Sequence, residues 1–342
     1  MTTRLLVLAL LLAPWPATAE LQLPAGFTAQ VYVTGEGFDT DASRGVRGIP
    51  STSTLAFDQT GTLYLARSGR RYLGGEVYDR WPLYRIPAGG ARLTPDTETR
   101  YLYGPPLPNP QVAVTRRGRE ILVTTFDRER KIGALYRLVD GRAELFAGGT
   151  PEGGNPPVLR QPEGVAVDGS GNVYVADRAQ GLVVRLDPDG RVVDPRHFVV
   201  ARPRLLAVDD KDQLWVGSDG TAEAPVQQGP GEIVQVTPQG ASGVVYRGPF
   251  AAIGLSPDNH LFVADRHEKQ IFVLTQDGKR IVFASFTDGD TPRSLCFAPV
   301  TPETRRAGVA GELFVVTIKA GTWPVNEVVR ISGPFNDLAG RR

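Results

Sequence analysis

The residues of this chain best equipped for chemistry are one glutamate and two arginines, Glu163, Arg204 and Arg293. A carboxylate binds cations or moves protons, and a guanidinium grips a carboxylate or phosphate through two parallel hydrogen bonds. The two arginines either clamp an anion or pair with Glu163 and nearby Asp residues, closing the channel with a salt-bridge network. A second group is Arg67, Asp177 and Asp265, each ending a short apolar run. Both aspartates lie in the tetrapeptide Val-Ala-Asp-Arg. There a carboxylate either caps the N–H groups of a turn or presents a polar contact or general base. Third are Trp81 and Trp323, in stretches that also carry Arg70, Arg71, Tyr72, Tyr78, Arg80 and Lys319. Aromatics beside arginine make a binding patch, or else cover sheet edges.

These residues are connected by an internal repeat. Gln161 to Gly190 reads QPEGVAVDGSGNVYVADRAQGLVVRLDPDG, and degraded copies recur through the chain. Each copy is an apolar strand ending in a turn, an alternating strand, and a second alternating strand ending in a polar turn. The second strands are Leu63–Leu65, Ile121–Val123, Val173–Val175, Leu214–Val216, Leu261–Val263 and Leu313–Val315. The third are Leu83–Ile86, Leu135–Leu138, Val183–Leu186, Ile233–Val236, Ile271–Leu274 and Val328–Ile331. An outer strand follows most of them, at Arg100–Tyr103, Ala143–Phe146, Val244–Tyr246 and Ile281–Phe283. Six units of four antiparallel strands predict an all-β fold, a six-bladed β-propeller.

The chain ends predict how the ring closes. Phe27 to Val33 is a strand with no inner partners, while the sixth unit has no outer strand after Ile331. Pairing Gln30–Val33 beside Val328–Ile331 completes the last blade and leaves no open edge. Residues 1–19 read as a secretory signal peptide: Arg4, the apolar run Leu5–Leu12, then Ala17-Thr18-Ala19 as a cleavage site. The run is too short to span a bilayer. An exported protein, periplasmic or extracellular, is therefore expected, with residues 20–342 forming one propeller domain.

Composition excludes several classes. The chain has 39 Gly and 28 Pro in 342 residues, too many turns for a helical protein. Loss of Arg4 with the leader brings the 38 basic residues level with the 37 acidic ones, so neither nucleic acid nor a polybasic membrane surface is implied. The single Cys296 has no disulfide partner and reads as a small buried hydrophobe. His267-Glu268 is not followed by the second His of a zinc motif, and Asp168–Asn172 is a hairpin turn.

The run Pro-x-Gly-x-Ala-x-Asp, Gly-Asn-x-Tyr-Val-Ala-Asp and Arg-Leu-Asp-x-x-Gly in the third unit resembles the NHL repeat. It is similarly close to the gluconolactonase-like and TolB-like six-bladed propellers. The resemblance covers residues 27 to 331 and implies the same six-bladed fold. Leu23–Phe27 followed by an alternating strand looks like the opening of soluble quinoprotein sugar dehydrogenases. Their His-Asn-Gly-Gly segment is absent here.

Aligning the units gives a ring of positions at the channel mouth: Ser53, Pro110, Glu163, Arg204, Ala251 and Arg293. The ends of the second strands give a neighbouring ring: Arg67, Thr125, Asp177, Ser218, Asp265 and Thr317. A hard cation needs several oxygen ligands, and the mouth ring has one carboxylate against two guanidiniums. The leading expectation is a monomeric binding module with no metal site, taking a small anionic ligand or a partner protein on its loop-rich face. The alternative is an enzyme, either a quinone-dependent sugar oxidoreductase or a calcium-type lactonase.

Overall fold

The structure, a computed structural model, describes residues 21–38, 47–50, 52–67, 80–114, 119–150, 157–219, 231–275, 278–287, 289–319 and 325–336. Residues 1–19, expected from the sequence to be a leader, and Trp323 lie outside them, as do Arg70, Arg71, Tyr72 and Tyr78.

The strands form six separate sheets, each with its four core strands antiparallel. Blade 3 shows the plan. Its inner strand is Pro162–Val167, followed by Val173–Asp177, Leu182–Leu186 and an outer strand, Val192–Val199. Blades 1, 2, 4 and 5 begin with inner strands Thr52–Phe57, Gln111–Val114, Pro203–Val208 and Ala252–Leu255. Blade 6 begins with Asp290–Phe297.

The ring closes as the sequence predicts. Thr28–Gly35 pairs antiparallel with Val325–Ser332, with Gln30 opposite Arg330 and Val31 opposite Val329. Two short strands extend this closure. Ala91–Leu93 pairs parallel with Thr28–Gly35, and Leu21–Gln22 joins the outer edge of blade 5 opposite Phe286 and Ser285.

The core lies between blades. Leu63 and Leu65 pack toward blade 6, against Phe314 and Val316, while Tyr64 and Ala66 pack toward blade 2, against Ile121 and Val123. Successive side chains of a strand point to opposite faces, so a strand flanked by two blades is apolar at every position. The same arrangement recurs at every seam, and the six apolar clusters follow one another around the ring. Each fully buried Leu or Val contributes about 1.5–3 kcal/mol.

The turn joining the first two strands repeats a polar device. Asp58, Asp168 and Asp209 are buried, and each accepts backbone N–H groups of its own turn. Each also accepts from an aromatic six residues on: the Tyr64 hydroxyl at 3.4 Å, the Tyr174 hydroxyl at 3.1 Å and Trp215 Nε1 at 3.2 Å. Burial and the neighbouring Asp168 push the Tyr174 hydroxyl up to about 12.

Two boundaries differ from the sequence expectation. The outer strand of blade 1 is Leu102–Pro108, because Glu98–Tyr101 forms a 3-10 turn ahead of it. The third strand of that blade starts at Arg80, so Trp81 is part of the sheet opposite Leu107 rather than of a loop.

Candidate functional site

The mouth ring has a backbone signature. In blades 1, 3, 4 and 6 the inner strand loses register at the ring position: between Thr52 and Leu55, Pro162 and Val165, Pro203 and Leu205, and Pro292 and Ser294. A bulge re-aims a side chain out of the pleat. Ser53, Glu163, Arg204 and Arg293 occupy these four bulges. Pro110 and Ala251 precede the inner strands of blades 2 and 5, which have none.

Around Glu163 three blades meet. Its backbone carbonyl accepts the Thr124 hydroxyl of blade 2 at 2.5 Å. Gly164 packs on blade 4 so closely that a Cβ there would stand 2.5 Å from the Arg204 carbonyl oxygen. The Glu163 side chain is buried and accepts from Arg178 Nη1 at 3.3 Å and Gln161 Nε2 at 3.2 Å. From blade 4, Arg204 donates through Nε to both oxygens of Asp219, each at 2.9 Å, and through Nη2 to the Ala251 carbonyl of blade 5 at 3.0 Å. Burial pushes the Glu163 carboxyl above the ordinary glutamate range. Arg204 and Arg178 pull it down, and Asp219 adds to the upward push.

Two guanidiniums and two carboxylates thus form a partly interlocked network, the salt-bridge alternative of the sequence reading. One donor is left over. Arg178 Nη2 is buried with no hydrogen-bond partner. Arg293, half-buried in its bulge on blade 6, adds a further positive charge to the same ring.

The strand-end ring is buried at all six positions. Asp177 caps its turn: it accepts from the backbone N–H groups of Arg160, Gln161 and Gln180 and from Gln180 Nε2, at 2.6, 3.2, 3.1 and 2.9 Å. Asp265 accepts from the N–H groups of His267 and Glu268, at 2.8 and 3.0 Å, and its Oδ2 is buried without a partner. Thr125 and Ser218 donate to the carbonyls of Ala134 and Ala201.

Arg67 organises a separate cluster in blade 1. Its guanidinium lies 3.7 Å from the centre of the Trp81 ring and donates to Glu98 at 2.8 Å. Tyr84 donates to the same Glu98 oxygen. Arg80 of this blade reaches Asp127 of blade 2 at 3.2 Å.

The structure therefore brings Glu163 and Arg204 together and places Arg67 with Trp81. Sequence reasoning did not single out Arg178, Asp219, Glu98 or Gln161. Arg178 was visible as the last letter of Val-Ala-Asp-Arg. Asp219 follows a strand end, and nothing in its spacing marks it. Cys296 packs at the edge of the seam between blades 6 and 1, and desolvation pushes its thiol above the usual cysteine range.

The donor set does not suit a hard cation. Both Asp219 oxygens are taken by Arg204, and Glu163 faces two guanidiniums. Among the described residues, no three of His, Cys, Asp and Glu gather as a metal site.

Comparison with known proteins agrees with the fold. Residues 159–186 match the NHL repeat. The chain is similar to the PQQ-bound aldose sugar dehydrogenase of Streptomyces coelicolor, with 14% identity over 91% of this chain and 99% of that one and a TM-score of 0.57. It is similar to a gluconolactonase of Xanthomonas campestris, with 16% identity over 93% and 97% and a TM-score of 0.55. An auxiliary nutrient binding protein of Bacteroides ovatus gives 10% identity over 92% and 78% and a TM-score of 0.58. Identities this low speak for the fold alone. No curated protein matches the sequence. Among the described residues, no helix is long and apolar enough to cross a membrane.

Proposed function

We propose that this chain is an exported binding module that holds a small anion, a carboxylate or an oxyanion of phosphate type, at the channel mouth of blades 3 and 4. The fold hosts binding proteins and enzymes alike, so the site decides. The observation that carries the reading is the buried, unpartnered Nη2 of Arg178 beside Glu163. A buried donor without an acceptor costs about 1–3 kcal/mol. The two carboxylates nearby are already committed, so the missing acceptor is an added one. Arg204 and Arg293 supply further charge on the same ring.

Calorimetric titration of the purified protein with a panel of small carboxylates, sulfate and phosphate tests this. The double variant Arg204→Ala with Arg293→Ala is expected to weaken binding by at least about tenfold. Unchanged affinity for every anion overturns the reading. A ligand at about 100 times its dissociation constant adds about 2.7 kcal/mol of stability, which a melting experiment detects.

Export is supported by the position of Leu21, two residues beyond Ala19, which already opens the first strand. Cleavage after Ala19 would leave the folded part whole. The mass of the protein recovered from an exporting host should then be that of a chain starting at Glu20. A full-length mass would contradict it.

A further inference from the structure

We infer that the channel mouth takes up one proton with each anion it binds, and that Glu163 is the acceptor. This rests on the anion-site reading above. The argument is one of charge and room. Glu163 and Asp219 are both buried, at 8% and 5% exposure, and they face two guanidiniums. Arg204 is fixed to Asp219 through both carboxylate oxygens and to blade 5 through the Ala251 carbonyl. The Arg178–Glu163 contact is looser, a single bond at 3.3 Å. The guanidinium free to turn toward a ligand is therefore that of Arg178, and its movement takes from Glu163 its closest positive partner.

With Arg178 turned away, Glu163 loses the ion pair it makes directly. Thr124 from blade 2 holds its backbone carbonyl, and Gln161 offers one neutral N–H. From blade 4, Asp219 repels it, and Arg204, whose charge pulls its carboxyl down, is bound to Asp219 rather than to Glu163. A buried carboxylate that loses its ion pair and gains an anionic neighbour relieves both penalties by protonation. The proton comes from solvent and stays on Glu163, and no covalent bond changes. Once neutral, the carboxyl becomes a donor and can point its O–H at a ligand oxygen. The upward push that burial already exerts on Glu163 agrees with this direction.

The test is titration calorimetry of the full chain with sulfate and with lactate, which both keep their charge between about pH 5.5 and about pH 8. Running it in two buffers of different ionisation heat counts the protons. The expected result is about one proton taken up per anion at the upper end of that range, with affinity falling about tenfold per pH unit. Glu163→Gln should bind at least as tightly, with no proton uptake and a flat pH profile. Wild-type binding without proton uptake overturns the inference and leaves the anion site standing. A pH slope that persists in Glu163→Gln also overturns it. No binding by either protein at any pH sinks the anion site and the inference together. The wild-type proton count decides by itself if Glu163→Gln fails to fold.

Discussion

Blades 3 and 5 carry the same tetrapeptide, Val175-Ala176-Asp177-Arg178 and Val263-Ala264-Asp265-Arg266, at the same place in the sheet. Their surroundings differ. Asp177 is saturated by four donors, whereas Asp265 has two and an orphaned oxygen. Two substitutions contribute to this. Pro249 stands where blade 3 has Gln161, and proline has no N–H to give. Glu268 stands where blade 3 has Gln180, and its carboxylate pairs with Arg280 at 2.7 Å instead of donating to the aspartate. The mouth residue differs as well: Arg178 meets Glu163, while the mouth position of blade 5 is Ala251. Burial lowers the Arg266 guanidinium below the usual arginine range. The repeat copies a scaffold. At the mouth position the copies diverge, with alanine in one and glutamate in the other.

The comparison is open to mutational attack. The largest effect is expected from Asp177→Ala, which strips four hydrogen bonds from buried or half-buried groups and should cost about 4 kcal/mol in urea unfolding. Asp265→Ala removes two bonds and also relieves an unsatisfied oxygen, so about 2 kcal/mol is expected. Equal losses at the two sites would show that the donor count does not set their stability. Glu268→Gln restores to blade 5 the donor of blade 3. It should stabilise by about 1 kcal/mol or less, since the Arg280 pair it removes is partly exposed and worth little. A clear loss of stability would mean that the new amide does not reach Asp265.

Smallest is the pH dependence. The folded state holds the Glu163 proton more tightly than the unfolded chain does, so the stability from this group is present at low pH. It is lost as pH rises through the folded value. Wild type should therefore lose ground against Glu163→Gln as pH climbs from about 4 toward neutrality. Parallel stability curves would break the assignment.

The fold was legible because the strand pattern repeats and both faces of each inner sheet are apolar. Glu163 and Arg204 were legible for a related reason: one bulge recurs at the same position in four of the six repeats, so aligning the copies aligns the mouth. Asp219 and Glu98 were not. They reach the sites from connections that differ in every blade, where no copy predicts another. Arg178 was hidden by its own repetition, since Arg266 shares its motif and not its partner. The apolar alternation of this strand starts only at Leu83, so nothing in it marks Trp81, whereas pairing with Leu107 carries the sheet back to Arg80.

The closure of the ring also orders events in time. Thr28 finds its partner in Ser332, at the far end of the chain. Thr28–Gly35, among the first strands synthesised, must wait longest, and until Val325–Ser332 emerges the seams on either side of blade 6 stay open. Contacts this distant in sequence make folding slow. A chain that is threaded through a membrane N-terminus first would thus remain unable to lock until its last strand has crossed.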